Sequence, residues 1–456
     1  MKQVTQTPRE SAPMAVVHPH AAGLDIGSSE IWAAVPAESD PQAVRPFPTF
    51  TPDLYALADW LRACGVTSVA MESTGVYWIP IYELLQARGF EVYLVNARHI
   101  KNVPGRKSDV QDCQWIQRLH SYGLLSASFR PEAEMVVLRA YLRQRADLIE
   151  HRAAHIQHMQ KALAQMNLQL TQVLKDITGV TGMQIIRAIV AGERNPVTLA
   201  QFRDKRCKHS TDEIAKALTG NYRAEHLFAL KQALSLYDAY TAQLEACDQE
   251  LERQFSVLKP THDDELPPLD TSDKRHTHSK NGPTYDARTL LYQWLGVDLV
   301  ALDGLNAGSV QTLLTEVGTR LDAFPTEKHF CSWLHLAPHN DISGGKVLRS
   351  RTLKAQNRAG QIFRLAAQSL SRTNTEYGAF YRKMKARKGA KQAIVATAHK
   401  IARTFYVMLK TRTPYRARSA EAYSERERQR EIARLTKKAH KLGLEVVMPA
   451  VQPAAI

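Results

Sequence analysis

Four carboxylates have the types and surroundings to handle a divalent metal. Asp25 lies in Gly23-Leu-Asp-Ile-Gly27, Glu72 in Met71-Glu-Ser-Thr-Gly75, and Asp109 and Asp112 in Lys107-Ser-Asp-Val-Gln-Asp-Cys113. The i, i+3 spacing of the last two puts both on one face of a helix. Four acids held together repel unless cations sit among them, and hard oxygen ligands suit Mg2+ or Mn2+. Two such ions about 3.5–4 Å apart activate an attacking oxygen and stabilise a leaving oxygen at phosphorus, which is phosphodiester-transfer chemistry. Each acid alone has an ordinary explanation: Asp109 as a helix-N-terminal aspartate, Asp25 as a turn residue, Glu72 as a partner for neighbouring backbone. Their combination in one α/β frame carries the weight.

That frame is legible in residues 20–130. Ala22–Ile26 reads as a strand, Gly27-Ser28-Ser29 as a turn and Ile31–Val35 as the returning strand of a hairpin. Asp53–Ala63 has helical spacing, Val66–Met71 is a short buried strand, and Ile79–Ala87 is a helix ending near Gly89. Glu91–Val95 is a further strand and Asp109–Ser121 a further helix. A hairpin followed by alternating elements predicts a mixed α/β sheet. If neighbouring strands present Asp25 and Glu72 at their C-terminal ends, one helix brings Asp109 and Asp112 against them.

From Pro131 the rhythm changes. Leu142, Ile149, Ile156, Leu163 and Leu170 recur every seven residues, with Met159, Met166 and Val173 between them. Leu230, Tyr237, Leu244 and Leu251 repeat the pattern, with Leu227 and Leu234 between. The expectation is a coiled-coil helical arm over 131–257 that also supports oligomerisation. Residues 258–288, rich in Pro, Asp, His, Ser and Lys, read as a linker or exposed loop. Residues 289–410 read as a mostly α C-terminal domain, with Leu290–Leu370 helical between Gly-rich turns. The remaining 411–456 carry a charged helix, Ser424–Leu442, and a tail with no assigned chemistry. Residues 1–19 are expected to be a disordered leader.

The chain has 60 lysines and arginines against 45 aspartates and glutamates, a net charge of +15. Residues 341–456 alone hold 26 basic and 7 acidic side chains, so the rest is slightly acidic. A basic C-terminal quarter on a near-neutral remainder points to a polyanion partner. No apolar run approaches the roughly 20 residues that span a bilayer, and Met1–His20 lacks the pattern of a signal peptide. The five cysteines form no CxxC pair, which argues against a disulfide framework and a structural zinc site. A cytoplasmic protein with no membrane partner is expected.

Within the basic quarter, Ser343-Gly-Gly345 precedes Lys346, Arg349, Arg351, Lys354, Arg358 and Arg364. By itself Ser343 is a flexible-turn serine; as a nucleophile it would need activation. The basic side chains Lys346, Arg349, Arg351, Lys354 and Arg358 are candidate nucleic-acid contacts, each neutralised phosphate adding salt-dependent affinity. The turn Leu302–Gly308 offers either backbone N–H groups for phosphate or a plain corner between helices. The dense Arg382–Lys388 run is a phosphate-contact candidate or a solvated face.

The segments around Asp25, Glu72, Asp109 and Asp112, with Gly75-Val-Tyr-Trp78 and Asn96-Ala-Arg-His99, resemble the N-terminal domain of DEDD transposases of the insertion-sequence-110 family. The resemblance implies a RuvC-type, ribonuclease H-like fold with these four acids as its metal-binding set in order. Phe324-Pro-Thr, Trp333-Leu-His-Leu-Ala-Pro338 and Ser343-Gly-Gly345 resemble the same family's C-terminal domain. There a serine in this short Ser-Gly region is the nucleophile and becomes joined to DNA; Ser343 matches it. The family further implies donor and target DNA, a structured bridge RNA that pairs with both, and a homo-oligomer, dimer or tetramer, with composite sites. The setting implied is bacterial, nucleoid-associated when DNA is bound. Two other readings compete: a metal-dependent nuclease using water on branched DNA, and a non-catalytic nucleic-acid-binding protein with a degenerate α/β domain.

Overall fold

A computed structural model describes residues 14–73, 75–96, 108–263, 265–270, 280–354 and 357–445. The first 13 residues of the expected leader, positions 97–99 of the Asn96–His99 run, Lys107, the middle of the expected linker and the apolar end of the tail lie outside them. The chain divides into two compact units, Met1–Arg130 and Pro131–Ile456.

The first unit is a five-stranded mixed sheet. Strands β1 (Ala21–Ile26), β2 (Glu30–Ala34), β3 (Val44–Pro48), β4 (Ser68–Glu72) and β5 (Glu91–Val95) lie in the order β3-β2-β1-β4-β5. The β1–β2 and β2–β3 pairs are antiparallel; β1–β4 and β4–β5 are parallel. Strand β3 extends the predicted hairpin. Two prolines in its five residues, Pro46 and Pro48, give no strand signal, yet they are tolerated because β3 is an edge.

Alternation along β1 and β4 sorts side chains between two faces. Ala22, Leu24, Ile26, Val69 and Met71 are buried with Leu57 and Leu61 of α1 (Thr51–Ala63) and Ile81 and Leu85 of α2 (Trp78–Ala87). Each large side chain of that core contributes about 1.5–3 kcal/mol by leaving water. Ala70 and Val95 face the other way, toward Ile116 of α3 (Asp109–Ser121) and Leu125.

Gly23 also faces α3, and the helix lies directly upon it. A Cβ there would stand 2.2 Å from the backbone nitrogen of Gln117 and 2.4 Å from the carbonyl oxygen of Cys113. The chain before β1 is not free, contrary to a disordered leader reaching residue 19. Backbone N–H groups of Val17 and His18 donate to the Ser121 carbonyl at 2.8 and 3.0 Å. The His18 ring stacks on buried His120, which hydrogen-bonds Ser68 Oγ at 3.0 Å.

The second unit is mostly helical. Two 33-residue helices, α4 (Ala133–Gln165) and α9 (Ala224–Ser256), pack antiparallel, with Arg145 against Asp248 and Arg152 against Thr241. The seven-residue apolar spacing predicted one helix through Val173. Instead α4 stops at Gln165 and Asn167 turns the chain with φ 54°. A lobe follows: α5 (Leu170–Val173), α6 (Val180–Ala191), α7 (Pro196–Ala200) and α8 (Thr211–Ala217). Leu170, Ile185, Ile186, Leu199 and Ile214 share one core there with Met159, Leu163 and Leu230 of the long helices.

The described residues of 258–288 are bound down rather than a loose linker. The Arg145 guanidinium donates to the carbonyls of Asn281 and Gly282 at 2.9 and 2.8 Å. Buried Asp248 accepts from that guanidinium and from the Thr284 N–H at 3.1 Å. The Thr261 N–H donates to Trp294 O, and Tyr292 Oη to Pro267 O.

Beyond it come α10 (Ala287–Leu295), α11 (Ala307–Val317), α12 (Glu327–Trp333), the hairpin β6 (Pro338–Ser343) and β7 (Lys346–Thr352), α13 (Arg358–Ser369), α14 (Glu376–Lys388), α15 (Ala390–Thr411) and α16 (Ala420–Lys441). Phe330, Phe363 and Phe405 are fully buried and in mutual ring contact. The hairpin corrects the expectation of helix across 290–370. Its apolar residues Ile342, Val347 and Leu348 bunch beside the Gly344–Gly345 turn instead of recurring at helical spacing. Among the described residues no helix is long and apolar enough to cross a membrane.

Because the atoms met at Gly23 are backbone, α3 must move to admit a methyl group. Gly23→Ala is expected to destabilise the first unit by about 1–3 kcal/mol, the usual cost of overpacking. Urea unfolding followed by tryptophan fluorescence checks this; an unchanged midpoint would refute the close approach.

Candidate active site

The helix–strand contact at Gly23 sets where the acids fall. Parallel pairing ends at Leu24 and Met71, so Asp25 and Glu72 come one step later on adjacent strands, at their C-terminal ends. Both belong to the face that Gly23 and Ala70 turn toward α3, since their neighbours Leu24 and Met71 are in the opposite core. Helix α3 runs antiparallel to β1: Gln117 lies over Gly23, and its side-chain amide donates to Ala21 O at 3.3 Å. Its first turn therefore projects toward Asp25. That turn begins at Asp109, with Ser108 as N-cap accepting from the Gln111 N–H at 3.4 Å.

Electrostatics report the same convergence. The Asp25 carboxyl is pushed up to about 6, first by burial and then by the charges of Asp109, Asp112 and Glu72, in that order. All three other acids thus act on Asp25. Their oxygen-only donor set fits a hard divalent cation in kind and charge. Among the described residues, however, no three His, Cys, Asp or Glu side chains are close enough to hold one ion. The acids converge on a region without closing a coordination shell.

Ser343 is the last residue of β6, exposed at the tip of the hairpin. Gly344 and Gly345, with φ 54° and 76°, form the two-residue turn, a conformation glycine adopts without strain. Among the described residues no side chain hydrogen-bonds the Ser343 hydroxyl. Lys346, Arg349 and Arg351 are exposed on β7, Lys354 is exposed just beyond, and Arg358 opens α13.

Sequence reasoning missed the residues that hold this hairpin at its root. His335 has φ 56°, unusual for a side chain with a Cβ. Its Nδ1–H donates to the Lys354 carbonyl at 3.0 Å, beyond the end of β7, and its own carbonyl accepts from Arg364 Nη2 at 2.7 Å. Asn357 ties the same ends, donating to Trp333 O at 3.2 Å while capping Gly360 N–H at 3.0 Å. The Trp333-Leu-His-Leu run carried the only signal, and only as a motif.

Two lesser expectations resolve differently. The Leu302–Gly308 turn is a packed corner: a Cβ at Gly304 would meet the Ala366 carbonyl at 3.0 Å, and Asn306 takes the Ser309 N–H at 2.8 Å. In the Arg382–Lys388 run, Lys383 pairs with Glu427 at 2.5 Å and Arg382 donates to Thr373 O at 2.8 Å. Lys385, Arg387 and Lys388 remain exposed.

Residues 22–168 match a DEDD-type family described as transposase, which covers the acid-bearing unit and α4. Residues 298–382, which include Ser343 and the basic hairpin, match the Transposase IS116/IS110/IS902 family. No curated protein matches the chain. The acid frame and the hairpin thus fall within matches that both define a transposase, a DNA-processing enzyme. The chain belongs to the IS110 family of transposases.

Two measurements follow from this geometry. Asp25 binds its proton more tightly folded than unfolded, so its charge costs stability above pH 6, and the cost fades as pH falls toward 4. In chelator at pH 7.5, Asp25→Asn should stabilise the chain by about 1 kcal/mol, discounted for partial exposure, with the gain shrinking on acidification. Equal stability at every pH would contradict the shared field. At the hairpin root, His335→Ala keeps the strain and loses the donor, His335→Gly loses the donor but relieves the strain, and His335→Asn tolerates the backbone and retains a donor. Strand-cutting rate should fall most for Ala and recover most with Asn; identical rates would show that the root does not position Ser343.

Proposed function

We propose that this transposase cuts and rejoins DNA strands through a covalent Ser343–DNA intermediate, in a reaction that depends on divalent metal at Asp25, Glu72, Asp109 and Asp112. The observation that carries the reading is the charge field at Asp25, which collects burial and three carboxylates on one face of the sheet. The sheet order β3-β2-β1-β4-β5, with its antiparallel start and acids at the ends of β1 and β4, supports a RuvC-type, ribonuclease H-like domain. The antiparallel pair α4–α9 within one chain supports a helical arm of coiled-coil type, and family resemblance adds a dimer or tetramer.

In the reaction, Ser343 Oγ bonds to phosphorus as the bond from phosphorus to one of its bridging oxygens breaks. The hydroxyl proton leaves Oγ, and the departing oxygen gains one. One phosphodiester replaces another, so the strand can be resealed by the reverse attack. Mg2+ or Mn2+ held by the four acids would supply Lewis-acid stabilisation of charge at phosphorus. The exposed cations Lys346, Arg349, Arg351, Lys354 and Arg358 would hold DNA backbone beside the serine. A structured bridge RNA pairing with donor and target DNA would leave sequence choice to base pairing.

One observation favours a second reading. Among the described residues no group stands ready to take the Ser343 proton, which suits a metal-dependent, structure-selective endonuclease with water as nucleophile and Ser343 in a structural role. Labelled donor and target DNA incubated with protein, Mg2+ and RNA transcribed from the flanks of the coding region separates the two. On a denaturing gel, an adduct that requires RNA and disappears in both Ser343→Ala and Asp25→Ala is expected. Metal-dependent cleavage that persists in Ser343→Ala without an adduct would establish the nuclease, and cutting that persists in Asp25→Ala would remove the metal site.

A further inference from the structure

The β6–β7 hairpin stands out in solvent: all six residues of β6 and six of the seven in β7 are exposed. A two-stranded hairpin alone is marginally stable in water, so this one calls for a partner. Between 338 and 358 the chain has five lysines and arginines against one acid, Asp341. An isolated ribbon of such charge is complementary to a polyanion.

The register gives the ribbon two different faces. His339, Asp341 and Ser343 alternate along β6 and so share a face, and their cross-strand partners are Arg351, Arg349 and Lys346. Lys346 and Arg349 are three apart, an odd spacing that a regular strand would split between faces. A bulge at Leu348 supplies the extra residue, since Asp341 pairs with Arg349 but Ile342 with Val347. The bulge therefore gathers Lys346, Arg349 and Arg351 onto the face of Ser343. The reverse face holds the apolar pair Ile342–Val347, which keeps the ribbon together.

We infer that the cationic face of this hairpin enters the major groove of a B-form DNA duplex. That groove, about 12 Å wide, admits a two-stranded ribbon, and arginine pairs there with the O6 and N7 edge of guanine. The major groove of an A-form duplex is deep and narrow and closed to side chains, so duplex RNA and RNA–DNA hybrids are not the partner of this face. Asp341 stands opposite Arg349 and 3.5 Å from His339, which leaves this face with three cations against one carboxylate. The inference rests on reading the chain as an enzyme of DNA strands, and it adds which groove the serine-bearing hairpin occupies.

Methylation interference tests it on the full chain, with Ser343→Ala as the non-cutting background. Duplex DNA is methylated lightly at guanine N7, in the major groove, and at adenine N3, in the minor groove, and bound and free fractions are compared. Interference at guanine N7 is expected. Replacing both Arg349 and Arg351 by Ala should erase it, weaken binding about tenfold or more, and reduce the slope of log K against log salt by about two. Thermal unfolding of the double variant should be unchanged, because both side chains are exposed. Interference at adenine N3 alone would overturn the inference, as would a double variant that binds normally. So would a duplex RNA of the same sequence that binds as tightly and loses affinity equally on the double substitution. An adduct formed by the wild-type chain, with no N7 interference for Ser343→Ala, would refute the groove and leave the serine chemistry standing; N7 interference for Ser343→Ala, with no adduct from the wild-type chain, would do the reverse.

Discussion

The approach of α3 to β1 at Gly23 is the contact on which the first unit depends. A helix normally rides on a sheet with side chains between them; here the backbone of Cys113 and Gln117 meets a strand that has no Cβ to offer. The gain is precision. With no flexible side chain in the gap, the rotation of α3 about its axis is set, and the i, i+3 pair Asp109 and Asp112 is aimed where parallel strands end. The consequence is stored repulsion. Asp25 resists ionisation first because it is buried and then because the fold crowds three other acids around it, and a proton or a cation relieves both.

Positive charge in the second unit is distributed less freely than the bare sequence shows. Glu376 alone is approached by Lys400 at 3.5 Å, Arg418 at 3.8 Å and Arg426 at 3.2 Å, tying α14, α15 and α16 to one carboxylate. Burial lowers the proton affinity of Lys400, whose ammonium also sits 4.4 Å from the Phe380 ring centroid. Glu427 takes Lys383 and Arg430. Much of the basic quarter therefore binds the helices to one another. Among what it leaves for an outside polyanion, beside Lys385, Arg387 and Lys388, is the hairpin, where acids are nearly absent.

The parts that were legible in the sequence depend on near neighbours. Strands β1, β4 and β5 and helices α1 to α3 follow from apolar period and from Gly and Ser at their ends, and Asp25, Glu72, Asp109 and Asp112 lie at the ends of those elements. The misses share a cause in distant partners. Strand β3 has no strand composition and exists because β2 offers it an edge. The break at Asn167 interrupts an unbroken apolar rhythm, since Leu170 is buried against the lobe rather than along the helix. Residues 281–284 look like a linker until Arg145 and Asp248, more than thirty positions away, take their backbone groups. Ser343 could be noticed only as part of a motif; the bulge that aligns it with three cations is a property of pairing between strands.

The two long helices of the second unit have an implication for length. At 1.5 Å per residue, 33 residues make each about 50 Å long, with the lobe built at one end of the pair. Apolar residues recur every seven along each helix, so a residue gained or lost in one helix alone would rotate its stripe away from the other. Seven gained or lost in both would preserve the seam and change the reach by about 10 Å. A change in how far the lobe is carried therefore needs matched changes in both helices.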